Sequence, residues 1–103
     1  MALYKMEIIF TKTKLMRFIS HLDLIRLFNR ASRRADLPIV FTSGFNPHPK
    51  LSIKRALKLG LTSESEEAVF YLGDKMSPEE FKGRLQRQLP DGIEIRDARL
   101  IEK

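Results

Sequence analysis

RFISHLDLIRLFNRASRRADLPIVFTSGFNPHPKL, residues 17–51, is the most informative stretch of this 103-residue chain. Ser20 and Asp23 have the spacing of a capping box, which predicts that a helix begins directly after Ser20. The helix should end at residues 36–38, because a residue that precedes proline is pushed out of the helical region. Its apolar residues recur at helical spacing and form one stripe, flanked by Ile25 and Leu27: Leu24, Phe28, Ala31 and Ala35.

The opposite side of this helix carries arginines. Arg26, Arg30 and Arg33 lie there, with Arg34 at the edge of the same face. Like charges four residues apart cost about 0.2–0.5 kcal/mol per pair in an isolated helix. Asp23 is the only acidic residue within the helix, so these charges are not balanced locally. The pattern is typical of either a solvated face or an anion-binding ridge, for which a phosphate backbone is the favoured ligand.

The helix is followed by a short apolar run at residues 39–42 and then by SGFNPHP at residues 43–49. Two prolines within this segment exclude a regular helix or strand, so we expect a stiff loop. Phe45 either plugs one end of the core or offers a ring on which an unpaired base could stack. Asn46, next to it, would then read that base.

Alternating patterns predict strands outside this stretch. A half-buried first strand is indicated by apolar residues at even positions: Tyr4, Met6, Ile8 and Phe10. Apolar residues recur at odd positions from 51 to 61 and predict a second strand. Arg55 interrupts the pattern, so a bulge or bend is expected near residues 54–56. Residues 67–72 predict the strand that completes a hairpin with it.

A second capping box, at Ser77 and Glu80, predicts another helix, with Pro78 at its first position. A last strand is predicted from Ile93 to Ile101. The order strand, helix, strand, strand, helix, strand predicts an α+β fold of the ferredoxin-like, split βαβ kind. That fold is a sandwich of one four-stranded antiparallel sheet with two helices on one face. Residues 39–42 add either a short extra strand or the start of a kinked second strand.

Charge divides the chain into two halves. Residues 1–60 contain 12 Lys and Arg against 3 Asp and Glu, whereas residues 61–103 contain 7 against 10, for a net charge of +6. Such asymmetry indicates a polyanionic partner for the first half. We therefore predict that the chain binds nucleic acid, with RNA favoured, through the following residues: Arg17, Arg26, Arg30, Arg33, Arg34, Phe45, Asn46, His48, Lys50, Lys54 and Arg55.

The composition excludes several classes of site. The chain has no cysteine, so it cannot by itself form disulfides, thiolate zinc sites or iron–sulfur clusters. We expect no metal and no cofactor. No apolar run approaches the roughly 18 residues of a membrane span, and the alternating N-terminus is unlike a signal peptide. The expected location is therefore the cytoplasm, with no membrane partner.

Three segments resemble the radical-SAM-linked domain of unknown function. They are RF-x-SHLDL-x-R-x-F-x-RA-x-RRA-x-LP at residues 17–38, TSGFNPHPKLS at residues 42–52 and LKLGLTSE-x-E at residues 57–66. Members of that family occur as small proteins or as the C-terminal part of cobalamin-binding radical SAM proteins. Their genes often lie beside one for ribonuclease G. Because the family's domain is longer, residues 1–103 are either a single domain or the N-terminal half of that domain.

The resemblance implies an accessory module of RNA modification or processing, with tRNA or rRNA as the suspected ligand and a radical SAM protein as partner. One alternative is a protein adaptor that docks onto the radical SAM protein through the helix and the loop. A second is a metal-independent ribonuclease, a class to which the chain has a looser, fold-level likeness through the repeat-processing ribonucleases of CRISPR systems. Such an enzyme would use His21 and His48 as general base and acid. His21 also fits a packed position beside the apolar stripe, so a binding function is preferred over catalysis.

Overall fold

The computed structural model describes residues 4–102 of the chain. In chain order it contains β1 (Tyr4–Lys12), a 3₁₀ helix (Lys14–Phe18), α1 (His21–Arg34), β2 (Leu51–Ile53), β3 (Ser63–Leu72), α2 (Pro78–Gln86) and β4 (Ile95–Glu102). The strands form one antiparallel sheet in the order β2-β3-β1-β4, with β1 and β3 at its centre. The predicted α+β, ferredoxin-like fold class is confirmed.

Both helices cover the same face of the sheet. A row of buried rings runs from α1 across the sheet to α2. The ring centres of Phe28 and Phe70 are 5.7 Å apart, and those of Phe70 and Phe81 are 5.2 Å apart. Phe10 on β1 joins this row at 5.0 Å from Phe28. Edge-on aromatic pairs contribute about 0.5–1.5 kcal/mol each beyond their burial, so the row fixes both helices against the sheet.

The helix boundaries follow the predicted caps. The Ser20 hydroxyl accepts a hydrogen bond from the Asp23 amide at 3.0 Å, and Ser77 accepts one from the Glu80 amide at 3.1 Å. The apolar stripe of α1 is buried as predicted: Leu24, Phe28, Ala31 and Ala35. Beyond α1, Asp36 adopts a left-handed conformation with φ of 54°. This turn ends the helix and sends the chain back toward the sheet.

The predicted second strand, residues 51–61, is wrong beyond Ile53. Arg55 turns toward β3, where its Nη2 lies 2.7 Å from the buried carboxylate of Glu66. The Lys54 amide still donates to the Glu67 carbonyl at 2.9 Å, and residues 55–58 then have no regular strand structure. The ladder between β2 and β3 is therefore short, from Leu51 to Ile53.

The later part of the segment after β2 lies against the 3₁₀ helix instead of continuing along β3. The Gly60 amide donates a hydrogen bond to the Arg17 carbonyl at 2.8 Å. Leu59 and Leu61, predicted to point inward, are consequently 61% and 51% exposed. The bend predicted near residues 54–56 is present, but it ends the strand rather than interrupting it.

Other boundaries differ by a few residues. β3 begins at Ser63 rather than residue 67, and β4 begins at Ile95 rather than residue 93. The run at residues 39–42 forms two isolated bridges, one from Ile39 to Leu72 and one from Phe41 to Pro49. It is neither a regular extra strand nor the start of β2. Neither helix within residues 4–102 combines the length and apolarity that crossing a membrane requires.

Candidate functional site

An open groove of about 740 Å³ lies between α1 and the loop at residues 46–48, and we call it the loop groove. The helix contributes Leu22, Ile25, Arg26, Asn29, Arg30 and Arg33, and the loop contributes Asn46, Pro47 and His48. The capped helix and the proline-rich loop, which are separated by the 39–42 run in sequence, therefore meet at one surface.

Arg33 connects the helix to the loop. Its Nη2 donates a hydrogen bond to the Pro47 carbonyl at 3.2 Å. Its guanidinium carbon lies 5.6 Å from the centre of the Phe41 ring, within the range of a cation–π contact. Both partners are uncharged, so they hold the side chain in place without neutralising it.

The loop is closed at its base by hydrogen bonds. The Thr42 amide donates to the His48 carbonyl at 2.9 Å, and the His48 amide donates to the Thr42 hydroxyl at 3.2 Å. Gly44 turns the chain at a φ of 114°, a conformation that favours glycine. Phe45, at the tip, is fully exposed and does not line the loop groove. The interpretation of Phe45 as a core plug is therefore wrong.

The arginines of α1 differ in their partners. Arg26 lies 3.3 Å from Asp23, and both side chains are exposed, so water weakens their attraction. Within the part of the chain that the structure describes, no carboxylate lies within 4.0 Å of Arg30, Arg33 or Arg34. The loop groove thus has positive charge on its helix side, and among the described residues only Asp23 pairs with one of these arginines.

Two other cations that were predicted to bind nucleic acid form ion pairs with acidic residues. Lys54 lies 3.4 Å from Glu67, and Arg55 binds Glu66 through both Nε and Nη2. Neither cation lines the loop groove. Both carboxylates belong to β3, in the acidic half of the chain.

The remaining predicted residues lie around the groove or away from it. Lys50 has its ammonium 4.8 Å from the centre of the Tyr71 ring, and Arg17 has its guanidinium 4.6 Å from that of Phe18. Arg34 lies on the opposite side of Arg30 from the loop. Of the predicted set, the structure brings together five residues at the loop groove: Arg26, Arg30, Arg33, Asn46 and His48.

The two histidines do not line a common pocket. His48 is exposed at the loop groove, with Nδ1 3.3 Å from the Pro49 carbonyl. His21 is half-buried at the start of α1, and its Nδ1 has no hydrogen-bond partner among the described residues. A general acid and a general base must both reach the substrate, and only His48 borders the groove. Within residues 4–102, no three His, Cys, Asp or Glu side chains are grouped to hold a metal.

A buried ionic cluster lies outside the loop groove and was not predicted. The Glu66 carboxylate accepts hydrogen bonds from Arg55 and from the Ser63 hydroxyl, the latter at 2.6 Å. Lys12, also buried, donates from Nζ to the Ile19 carbonyl at 2.8 Å. Alternation along β1 and β3 could have revealed it, because Lys12 and Glu66 both occupy inward positions.

The cluster shifts the pKa values of its buried members. Burial lowers the pKa of Lys12, and the negative charge of Glu66 offsets only part of that effect. Burial alone would raise the pKa of Glu66, but hydrogen bonds from Arg55 and Ser63, with the nearby positive charges, bring it below its usual range.

The uncovered face of the sheet offers a second depression, of about 460 Å³. Two ion pairs border it, between Glu7 and Arg99 at 2.6 Å and between Lys54 and Glu67 at 3.4 Å. Asp97 adds further negative charge. This face is less suited to a polyanion than the loop groove, because its cations are matched by carboxylates.

Comparison with known proteins adds one family. A family model described as an uncharacterized protein conserved in bacteria (DUF2344) matches residues 5–103. No curated protein and no solved structure matches the chain. The family match covers both helices and all four strands except the first residue of β1.

Proposed function

This chain belongs to the uncharacterized bacterial family DUF2344, and we propose that it binds RNA at the loop groove, as an accessory module of a radical SAM RNA-modification or RNA-processing system. The observation that carries the proposal is the position of Arg30 and Arg33, which border a groove without a carboxylate partner among the described residues. Arginine suits phosphate because its planar fork of donors can bind two oxygens at once.

The contrast with other arginines supports a binding function over a merely solvated face. Arg55, Arg84, Arg96 and Arg99 each lie within 3.2 Å of a glutamate. Glutamates are thus available as partners for arginines on this protein, but they pair with arginines outside the loop groove. An unbalanced arginine group costs self-repulsion, which a polyanionic ligand would relieve.

The loop would supply contacts to bases. Asn46 and His48 carry donors and acceptors at the groove, and the exposed ring of Phe45 could stack on an unpaired base. Leu22 and Ile25 give the groove an apolar floor on which a second base could rest. A single strand combines phosphates with accessible base faces, whereas a duplex buries those faces, and we propose that this strand is RNA.

The radical SAM association rests on the resemblance given by three segments, two of which meet at the loop groove. SHLDL contributes Leu22 to the loop groove, and GFNPHP contributes Asn46, Pro47 and His48. Two of the three segments that carry the resemblance therefore form the proposed binding surface together. A module of this kind would hold the RNA while the partner enzyme acts on it, and tRNA and rRNA are the ligands we propose to test first.

The experiment is a titration of dye-labelled single-stranded RNA, followed by fluorescence anisotropy across a range of salt concentrations. We expect affinity to fall steeply with salt, with a log–log slope of about −0.7 for each phosphate neutralised. Arg33→Gln should weaken binding and make the slope shallower. Arg99→Gln is the matched control, because it removes the same charge from the opposite face of the sheet. Binding that is independent of salt would contradict the proposal.

A second candidate function, a protein adaptor, is favoured by one observation. Large apolar side chains are exposed near the 3₁₀ helix, and the Gly60–Arg17 hydrogen bond brings their two segments together: Leu15, Phe18, Leu59 and Leu61. Such a patch could dock a partner protein. The test is co-purification with the radical SAM protein after nuclease treatment, with Phe18→Ser predicted to abolish it. Retention of the partner by Phe18→Ser would rule out this patch.

A further inference from the structure

A second groove, of about 410 Å³, lies between α1 and the chain that follows α2, and we call it the helix groove. Three arginines border it: Arg30 and Arg34 from α1, and Arg87 at the C-terminal cap of α2. Arg87 was not among the predicted contact residues, because the sequence gives no sign that the ends of the two helices meet. The helix groove is also lined by apolar residues: Leu27, Ala31 and Leu89.

The three arginines have no carboxylate within 4.0 Å in the described part of the chain. Arg84, one turn before Arg87 on the same helix, shows that acidic partners are close by. It lies 3.2 Å from Glu80 and 4.0 Å from Asp36, and it donates to the Asp36 carbonyl at 3.1 Å. The nearby acids therefore bind Arg84 and leave the cations of the helix groove unbalanced.

The helix dipole offers a simpler explanation for some of the arginines at the helix groove. A cation in the last turn of a helix interacts favourably with the helix dipole, and that applies to Arg34 and Arg87. It does not apply to Arg30, which lies a full turn before the end of α1. The dipole also gives no reason for two helix ends to direct their arginines at one groove.

Arg30 borders both grooves, so the two form one continuous cationic surface across α1. Arg26 and Arg34, at its ends, are eight residues apart in the helix, a rise of about 12 Å at 1.5 Å per residue. A stacked strand carries one charge per about 3.4 Å. The helix alone therefore spans about three to four phosphates, and Arg87 extends that surface beyond α1.

We propose that the helix groove is a second phosphate site, and that one stacked single strand of RNA passes from the loop groove over Arg30 into it. This inference rests on the proposed RNA-binding function and adds to it the class of ligand, a single strand longer than the loop groove alone can hold. The loop groove takes bases and phosphates, whereas the helix groove, which has arginines and no loop, takes the phosphates that follow.

The test compares a trinucleotide with a dodecanucleotide of oligouridine, using the intact chain and anisotropy at several salt concentrations. A trinucleotide is too short to bridge both grooves, and we expect it to bind at the loop groove, which offers contacts to bases as well as to phosphates. Arg87→Gln should therefore lower the affinity for the dodecanucleotide several-fold and make its salt slope shallower by about 0.7. The affinity for the trinucleotide should not change. Arg34→Gln should repeat this result, Arg33→Gln should weaken both ligands, and Arg99→Gln should weaken neither.

The outcomes separate the two proposals. If Arg33→Gln weakens binding of both ligands and Arg87→Gln weakens binding of neither, the helix groove is not a phosphate site and the proposed RNA-binding function stands. If Arg87→Gln weakens both lengths equally, the continuous path over Arg30 is overturned. If no arginine variant changes binding, both proposals fail. Thermal unfolding of each variant shows whether a lost affinity reflects a lost fold.

Discussion

The guanidinium of Arg55 binds the carboxylate of Glu66 side-on, with Nη2 2.7 Å and Nε 3.2 Å from the same oxygen. The Glu66 side chain is 2% exposed, whereas that of Arg55 is 65% exposed. The pair therefore anchors an exposed cation to a buried anion. It also joins the segment that follows β2 to β3.

The buried carboxylate makes stability depend on pH. The pKa of Glu66 is lower in the folded chain than the usual 4.5, so the folded state binds fewer protons than the unfolded state. This contribution to stability is fully present above pH 4.5 and is lost as the pH falls through the lower, folded pKa. We expect the melting temperature to fall in that acidic range, and to fall less steeply in Glu66→Gln. A variant of an exposed acid outside the cluster, Asp74→Asn, should keep the original slope.

Arg55 and Arg33 should separate stability from binding. Arg55→Gln removes the strongest partner of a buried carboxylate, so we expect a lower melting temperature and an unchanged affinity for RNA. Arg33→Gln removes an exposed cation at the loop groove, so we expect weaker RNA binding with little change in melting temperature. Anisotropy and thermal unfolding on both variants check this. If a fully folded Arg55→Gln variant binds RNA more weakly, this prediction is wrong and Arg55 contacts RNA.

Two glycines should respond in opposite directions to alanine. Gly92 has a φ of 100°, and a Cβ there would overlap the Thr13 carbonyl oxygen and come within 3.1 Å of the Met16 Cγ. We expect Gly92→Ala to destabilise the fold by at least about 1–3 kcal/mol. Gly83 lies inside α2, where an added Cβ meets no described atom within 4 Å. Gly83→Ala should stabilise by about 0.5–1 kcal/mol, and denaturant unfolding measures both.

Local patterns explain why most elements could be predicted. Period-2 alternation in β1, the capping serines at 20 and 77, and the helical stripe of α1 each depend on residues that are close in sequence. The course of the chain after β2 depends instead on contacts between residues far apart in sequence, such as the hydrogen bond from the Gly60 amide to the Arg17 carbonyl. No short window contains those contacts, so the alternation at residues 51–61 was extended too far.

The candidate site likewise combines features that follow from local sequence with features that depend on tertiary contacts. Helical periodicity places Arg26, Arg30 and Arg33 on one face, which could be predicted without coordinates. Which cations are neutralised depends on tertiary contacts. Arg55 meets a glutamate from the next strand, whereas Arg33 meets only the Pro47 carbonyl and an aromatic ring. The role of these residues in RNA binding stays a prediction.

Phe45 provides the sharpest test of the loop, because its ring is fully exposed and contributes nothing to the core. Phe45→Ala should leave the melting temperature unchanged and weaken binding of unpaired RNA by about 1–3 kcal/mol, the usual loss for one stacked base. Phe70→Ala is the contrasting variant, since it removes a buried ring and should cost about 3–5 kcal/mol of folding stability. Affinity for a double-stranded RNA of equal length should not respond to Phe45→Ala, because its bases offer no free face. Equal loss on single and double strands would show that Phe45 does not act by stacking.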